Sequence, residues 1–316
     1  MKEYLAAALL SFALSFLLCK AEIPLLRRMK AGQNILGYVK EHEGKSGTPT
    51  MGGPAFLLSA AAVSLLFYGF SDKPLYVSLA IGIGFMLVGF LDDFMKLRHK
   101  ENLGLTALQK IVFQVAVALC AAVYCYLDGL TVVFIPFTKF SFDIGWGIIP
   151  LAVFVFLAAV NSVNLTDGLD GLAGGSAAAY FLSMGLLLCV QVRFPAVAGL
   201  CFCLTGTLAA FLVFNTNRAS VFMGDTGSLG LGGFVACTGI FTDNLLYIAV
   251  IGAVFVLSSI TVILQVIYYK KTGKRVFLMA PVHHHFQEKG YSESKIAYCY
   301  ALVTTLLGAL CLLALL

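Results

Sequence analysis

"GFMLVGFLDDFMKL", Gly84 to Leu97, decides how the chain is read. An apolar run ends on two adjacent acids, Asp92 and Asp93, and Lys96 follows three residues after the second. Ionised carboxylates are costly at membrane depth. The pair therefore marks either the polar edge of a membrane helix or the floor of a reaction site. Neighbouring residues of a helix point about 100° apart, so these two carboxylates are not expected to chelate one ion together. One would face a site and the other a neighbouring cation. Lys96 lies on the same helix face as Asp93 and is placed to pair with it.

The rest of the chain fits a membrane setting. Of 316 residues, 60% are hydrophobic and 12% charged, with a mean hydropathy of +0.92. A soluble domain is about 45–50% apolar and ~25% charged. Apolar stretches of the ~20 residues that cross a bilayer as a helix recur near 3–21, 52–70, 75–92, 107–127, 146–163, 172–192, 195–214, 228–242, 245–268 and 297–316. The expectation is an all-α integral membrane protein of ten transmembrane helices, forming one polytopic domain over 1–316 without a separating linker. The first stretch lacks the basic leader and small-residue cleavage site of a signal peptide and is read as a span. Residues 128–145, with "TVVFIPFTKFSFDIG", are rich in β-branched and aromatic side chains and predict a small hairpin outside the spans.

Ten spans put both termini on one side. The opposite side then carries 17 of the 21 lysines and arginines, which makes it cytoplasmic by the positive-inside rule and leaves the termini external. The net charge of +5 thus reflects topology and gives no sign of a nucleic-acid partner. Most of the nine cysteines lie within apolar stretches and read as small packing residues. No CxxC pair suggests zinc.

Five cytoplasmic loops, at about 22–51, 93–106, 164–171, 215–227 and 269–296, hold nearly every unusual polar cluster and all five histidines. Loops on a rigid scaffold commonly carry the chemistry. "NSVNLTDGLDGLAGG" (161–175) sets Asn164, Asp167 and Asp170 in a glycine-broken turn without the ligand alternation of a calcium loop. "FNTNRASVFMGDTGSLGLGG" (214–233) places Asp225 before a glycine-rich helix start, where backbone N–H groups favour anions. Phe222 nearby is an aromatic able to stack a base. "APVHHHFQEKG" (280–290) offers His283, His284 and His285, which diverge too far for one shared zinc and suit hydrogen bonding to phosphate or proton handling. "GKSGTPTMGGPAF" (44–56) adds Lys45 and Thr50. Acids, lysines and glycine-rich loops on one face suggest a Mg²⁺-assisted phosphoryl site.

The strings "GTPTMGG", "LDDFMK", "NLTDGLDGLAGG", "FMGDTGSLGLGG" and "APVHHHF" together resemble the phospho-N-acetylmuramoyl-pentapeptide transferase family, within the wider polyprenyl-phosphate N-acetylhexosamine-1-phosphate transferases. The resemblance spans nearly the whole chain. It implies a homodimeric ten-helix enzyme of the bacterial inner membrane with a cytoplasmic active site built by the five loops. The implied reaction moves phospho-N-acetylmuramoyl-pentapeptide from UDP to undecaprenyl phosphate, releases UMP, and makes the first lipid-linked peptidoglycan precursor with Mg²⁺ as cofactor. On the matching motifs, Asp225 takes the magnesium position. Asp92 and Asp93 take the acid pair, and His283, His284 and His285 the histidine motif. Lys45, Asp170, Asn215 and Phe222 fall around the uridine, with Thr50 in the adjoining loop. Lys96, Lys110, Asn164 and Asp167 fall near the phosphates, and Gln265 is a further polar position. The other readings are a sibling transferase using UDP-N-acetylglucosamine, and a cation transporter, whose ionisable groups would sit nearer the bilayer midplane.

Overall fold

The computed structural model describes residues 1–29, 47–99, 104–138 and 140–316. Helix α1 spans Lys2–Arg28, α2 Gly53–Tyr68, α3 Lys73–His99 and α4 Ala107–Leu127. A two-stranded antiparallel hairpin follows, β1 (Val132–Phe134) against β2 (Ser141–Asp143), with Val133 opposite Phe142. Then come α5 (Ile148–Thr166), α6 (Leu172–Gln191), α7 (Pro195–Asn215), α8 (Gly224–Ile240), α9 (Leu245–Ile251), α10 (Ala253–Thr272), α11 (Val282–Glu288) and α12 (Glu293–Leu313). The expected hairpin is present.

Eight of these helices are long and apolar enough to cross a membrane: α1, α3, α4, α5, α6, α7, α10 and α12. Two of the ten expected spans are shorter, α2 at 16 residues and α8 at 17. The span expected over 245–268 is not one helix. It breaks at Gly252, which ends α9 and starts α10. Both flanks are apolar, so hydropathy alone runs through the break. Helix α3 continues unbroken to His99, so Asp92 and Asp93 lie within its last turns rather than at its end.

Helix α8 is the axis of the bundle. Every residue from Thr226 to Ile240 is buried, and its pairing with α3 is the most extensive of any two helices, with α5 and α2 also against it. In lipid, helices associate by close packing of small residues and by interhelical hydrogen bonds, since lipid tails are as apolar as leucine. Gly227 of α8 meets Gly53 of α2 backbone to backbone, with no space for a Cβ on Gly53. Polar pairs fix the register of the other helices. Gln114 on α4 and Asn161 on α5 exchange amide hydrogen bonds at 2.8 and 3.5 Å. Ser162 and Thr166 on α5 bond Ser259 and Ser258 on α10 at 2.7 and 2.9 Å.

Helix α4 begins on a capping box in which Thr106 and Gln109 satisfy each other's backbone N–H groups. This start is set beside the last turns of α3. The C-terminal ends of α3, α5 and α7 and the N-terminal ends of α4, α6, α8 and α12 thereby gather at one end of the bundle, and the hairpin lies at the other.

Candidate functional site

At that end, α3, α4, α5 and α8 each contribute a polar side chain to one centre. Asp225, in the first turn of α8, accepts from Lys96 Nζ at 2.9 Å and Lys110 Nζ at 2.8 Å on Oδ2, and from Asn164 Nδ2 at 2.7 Å on Oδ1. Asn164 also donates to Ser228 Oγ at 2.8 Å, which holds the amide against α8. Lys96 reaches Asp92 at 2.6 Å and Asp93 at 3.6 Å. Its shorter partner is thus Asp92, one turn behind it at i−4, and not Asp93 as its spacing suggested. Asp93 is drawn aside because Oδ2 accepts two bonds from Thr226, 2.9 Å from the backbone N–H and 2.7 Å from the hydroxyl. Asp92 Oδ1 accepts from the Leu105 N–H at 2.8 Å.

The expectation that Asp92 and Asp93 diverge too far to share an ion does not hold. One oxygen from each, and one from Asp225, all lie within 4.8 Å of one another. The third carboxylate comes from another helix, α8, which packs against α3 at this point. The set fits a hard divalent cation. It is all oxygen, as Mg²⁺ prefers, and its atoms lie within 4.8 Å of one another. The Lys96 ammonium, within 3.6 Å of all three carboxylates, shows that this point draws positive charge.

A second group flanks the first. Asp170 Oδ2 accepts from the Ala219 N–H at 3.0 Å, and Asn215 bridges the Gly171 N–H (3.1 Å) and the Val221 carbonyl (2.9 Å). Both therefore shape the 215–222 loop. Phe222 is laced to the start of α2, donating to the Pro49 carbonyl at 2.8 Å and accepting from the Gly52 N–H at 2.9 Å. Thr50 closes against Gly224, where a Cβ would lie 2.6 Å from both Thr50 Oγ1 and Asp93 Oδ2. Gly224 also has φ +67°, a conformation that suits glycine at this turn into α8. Lys45 lies outside the described residues.

The 164–170 turn connects the acid centre to the histidines. Asn164 holds Asp225, and Gly168 faces the imidazoles: a Cβ there would lie 2.5 Å from His283 Nε2 and 2.9 Å from His284 Nε2. The His283 and His284 rings lie together against this turn, while His285 points away from them toward Leu278. His283 is fully buried with neither ring nitrogen hydrogen-bonded, and packs at 4.4 Å between centroids on His284. Burial, helped by His284, holds its imidazole down at about 3, so it is neutral at physiological pH. His285 instead accepts the Leu278 N–H at 3.1 Å. Burial pushes the Asp167 carboxyl up to about 8, and the nearby carboxylates of Asp225, Asp93 and Asp170 add to the rise.

Gln265 spends its amide on the backbone of the segment before the histidines, with bonds to Val276 and Phe277 of 2.9–3.1 Å. It anchors that segment to α10. Sequence reading missed Thr226, Ser228, Gln287 and Glu293. Thr226 directly follows Asp225 and was legible as a possible first-turn donor. Glu293 lies behind the capping residue Ser292 and carries no motif of its own.

The family model for glycosyl transferase family 4 matches residues 75–243, which runs from α3 through the end of α8. The phospho-N-acetylmuramoyl-pentapeptide-transferase of Bacillus subtilis (strain 168) is 43% identical over 307 residues, 96% of this chain and 94% of its own. The protein of the same name from Geobacillus sp. (strain WCH70) is 42% identical over 309 residues, 96% and 95% of the two chains. That from Bacillus thuringiensis (strain Al Hakam) is 42% identical over 313 residues, 97% and 96%.

Proposed function

The chain belongs to the phospho-N-acetylmuramoyl-pentapeptide transferase family, and from that premise we propose that it transfers phospho-N-acetylmuramoyl-pentapeptide from UDP to undecaprenyl phosphate. UMP leaves, and the product is the first lipid-linked peptidoglycan precursor. The observation that carries this reading is the convergence of Asp92, Asp93, Asp225, Lys96, Lys110 and Asn164 at one end of a membrane bundle. One substrate is soluble and highly charged and the other is a long lipid, so only a site at the membrane surface serves both.

In this reading Asp225, with Asp92 and Asp93 beside it, holds Mg²⁺. The ion when bound supplies charge neutralisation for a diphosphate and its leaving group. Lys96 and Lys110 bind the substrate phosphates, and Asn164 keeps Asp225 oriented. Asp170, Asn215, Phe222, Thr50 and Lys45 form the uridine side, and Asp167 lies between that side and the phosphates. His283, His284 and His285 form the sugar-phosphate side, with the buried His283 packed behind His284 and Gln265 holding the segment that leads to them. Positioning and electrostatics supply most of the acceleration, as in phosphoryl transfer generally.

The transfer is a direct displacement in which an oxygen of the acceptor phosphate attacks the β-phosphorus. One of Asp92 and Asp93 receives or orients the acceptor's proton: Asp92 is held by the Leu105 N–H and Lys96, and Asp93 by Thr226 on Oδ2. The charge asymmetry of the loops supports a cytoplasmic site and external termini across a ten-span bundle in the bacterial inner membrane, with the short α2 and α8 counted as spans. The resemblance to the family supports a homodimer.

The experiment is UMP release by the purified chain with undecaprenyl phosphate and Mg²⁺, run in parallel with UDP-MurNAc-pentapeptide and UDP-N-acetylglucosamine. Release with the first alone is expected. Release with the second alone would assign the chain to the sibling reaction. A labelled phospho-sugar trapped on Asp92 or Asp93 without acceptor would replace direct displacement by a covalent route.

A further inference from the structure

A chain of hydrogen bonds running behind the histidines fixes which nitrogen of His284 carries its proton. Glu293, at the first position of α12, accepts the Asp170 N–H on Oε2 at 3.1 Å and Gln287 Nε2 on Oε1 at 3.4 Å. Gln287 Oε1 in turn meets His284 Nδ1 at 2.9 Å. An ionised carboxylate only accepts. It therefore turns the Gln287 NH₂ toward itself and leaves the amide oxygen facing His284. An amide oxygen also only accepts, so the facing ring nitrogen must donate. The neutral His284 ring is then the Nδ1–H tautomer, and Nε2, the atom facing Gly168, is its acceptor end.

The next histidine is set the opposite way. His285 Nδ1 receives the Leu278 backbone N–H at 3.1 Å, and a backbone N–H only donates, so the neutral His285 ring carries its proton on Nε2. Two adjacent residues of one helix are thus held in opposite tautomers by different partners.

We infer that Gln287 and Glu293 are positioning residues that hold His284 in the Nδ1–H form, with the accepting Nε2 turned to the Asp167–Asp170 turn. Neither residue was picked out by a sequence motif. Gln287 is buried, as expected of a relay that does not meet substrate itself. Because Glu293 also holds the Asp170 backbone, one carboxylate ties the histidine helix to the turn flanking the 215–222 loop. A role in the reaction rests on the transferase reading given above. The tautomer does not.

Replacing one atom inverts the relay. In Glu293→Gln the side-chain oxygen still accepts the Asp170 N–H, but an NH₂ group now faces Gln287. The Gln287 amide must turn over to present its oxygen there, which points its NH₂ at His284 Nδ1. His284 then moves its proton to Nε2. Glu293→Asp keeps an acceptor-only partner and keeps the original tautomer.

The test is ¹⁵N NMR of the full chain in lipid nanodiscs with labelled histidine, His284 being assigned by the signal missing in His284→Asn. The expected result is a protonated Nδ1 and an unprotonated Nε2 in the neutral ring of the wild type and of Glu293→Asp, with the reverse in Glu293→Gln. A wild-type His284 protonated on Nε2 alone, or a Glu293→Gln spectrum unchanged from wild type, overturns the inference. UMP release provides an independent arm. Glu293→Gln is expected to lower turnover by about 10-fold or more, and to cause no further loss in the His284→Asn background. An equal further loss in that background shows that Glu293 does not act through His284 and also overturns it.

Discussion

Gly89 of α3 and Asp225 of α8 touch backbone to backbone: a Cβ on Gly89 would overlap the Asp225 carbonyl. This contact sets how deeply the first turn of α8 sits behind the Asp92–Asp93 segment, and so how close the three carboxylates come. Gly89→Ala forces the two helices apart. Overpacking of this kind costs about 1–3 kcal/mol, and turnover should fall out of proportion because the triad opens. Gly84→Ala is the control. Its Cβ would meet only the Val117 side chain at 3.2 Å, and it should retain most activity. Thermal unfolding and UMP release on the two variants check this.

Lys96 lies within 3.6 Å of all three carboxylates of the triad. In Lys96→Met a neutral side chain of similar length removes the ammonium the three share and leaves Lys110 on Asp225. The apo protein should lose stability, by less than the about 3–5 kcal/mol of a fully buried pair because the lysine is 36% exposed. Added Mg²⁺ should raise the melting temperature of this variant more than that of the wild type, since only Lys110, on Asp225, still competes for the site among the described residues. Turnover should nevertheless drop by about 10²–10³-fold, the usual cost of removing one electrostatic contact to a transition state.

Asp167 and His283 give opposite pH signatures. The Asp167 carboxyl stands at about 8 in the fold against an ordinary 3.8. Between these values the folded chain keeps a proton that the unfolded chain has lost, so this group's contribution falls as pH rises through that window. Asp167→Asn removes the slope, and its stability relative to wild type should increase from about pH 4 to about pH 8. His283 stands at about 3 against 6.5, so between those values the unfolded chain binds the extra proton. Stability from this group is complete above about pH 6.5 and declines as pH falls toward 3. His283→Gln should flatten that acid limb. Melting temperatures across pH for the two variants separate the effects.

Much of the centre is legible in the sequence. Asp92, Asp93, Lys96, Asn164 and Asp225 stand out because acids, amides and lysines at the ends of apolar runs violate the surrounding composition. The geometry within the centre was not legible. Helical spacing favoured Lys96 with Asp93, but Thr226 on a different helix claims Asp93 and leaves Lys96 to Asp92. The same remote helix brings the two acids into one triad. The break at Gly252 was hidden because apolar residues continue on both sides of it. Gln265 stood out as polar in an apolar stretch, yet its bonds to Val276 and Phe277 are long-range in sequence and leave no periodic trace. Glu293 was missed for the same reason, its bond to the Asp170 N–H spanning 123 residues, and Gln287 because its bonds to His284 and Glu293 follow no motif.

The central claim is that the carboxylate triad at the end of α3 and α8 holds the metal for a phospho-sugar transfer. Asp225→Asn tests it most directly, because the amide keeps the shape and can still meet Asn164 while losing the charge that the site is built around. The measurement is UMP release from UDP-MurNAc-pentapeptide, with undecaprenyl phosphate and Mg²⁺ present, by wild type and variant of matched thermal stability. Mg²⁺-dependent release by the wild type, abolished by EDTA and by the substitution in a still-folded protein, is the expected result. Wild-type turnover by Asp225→Asn would contradict the account.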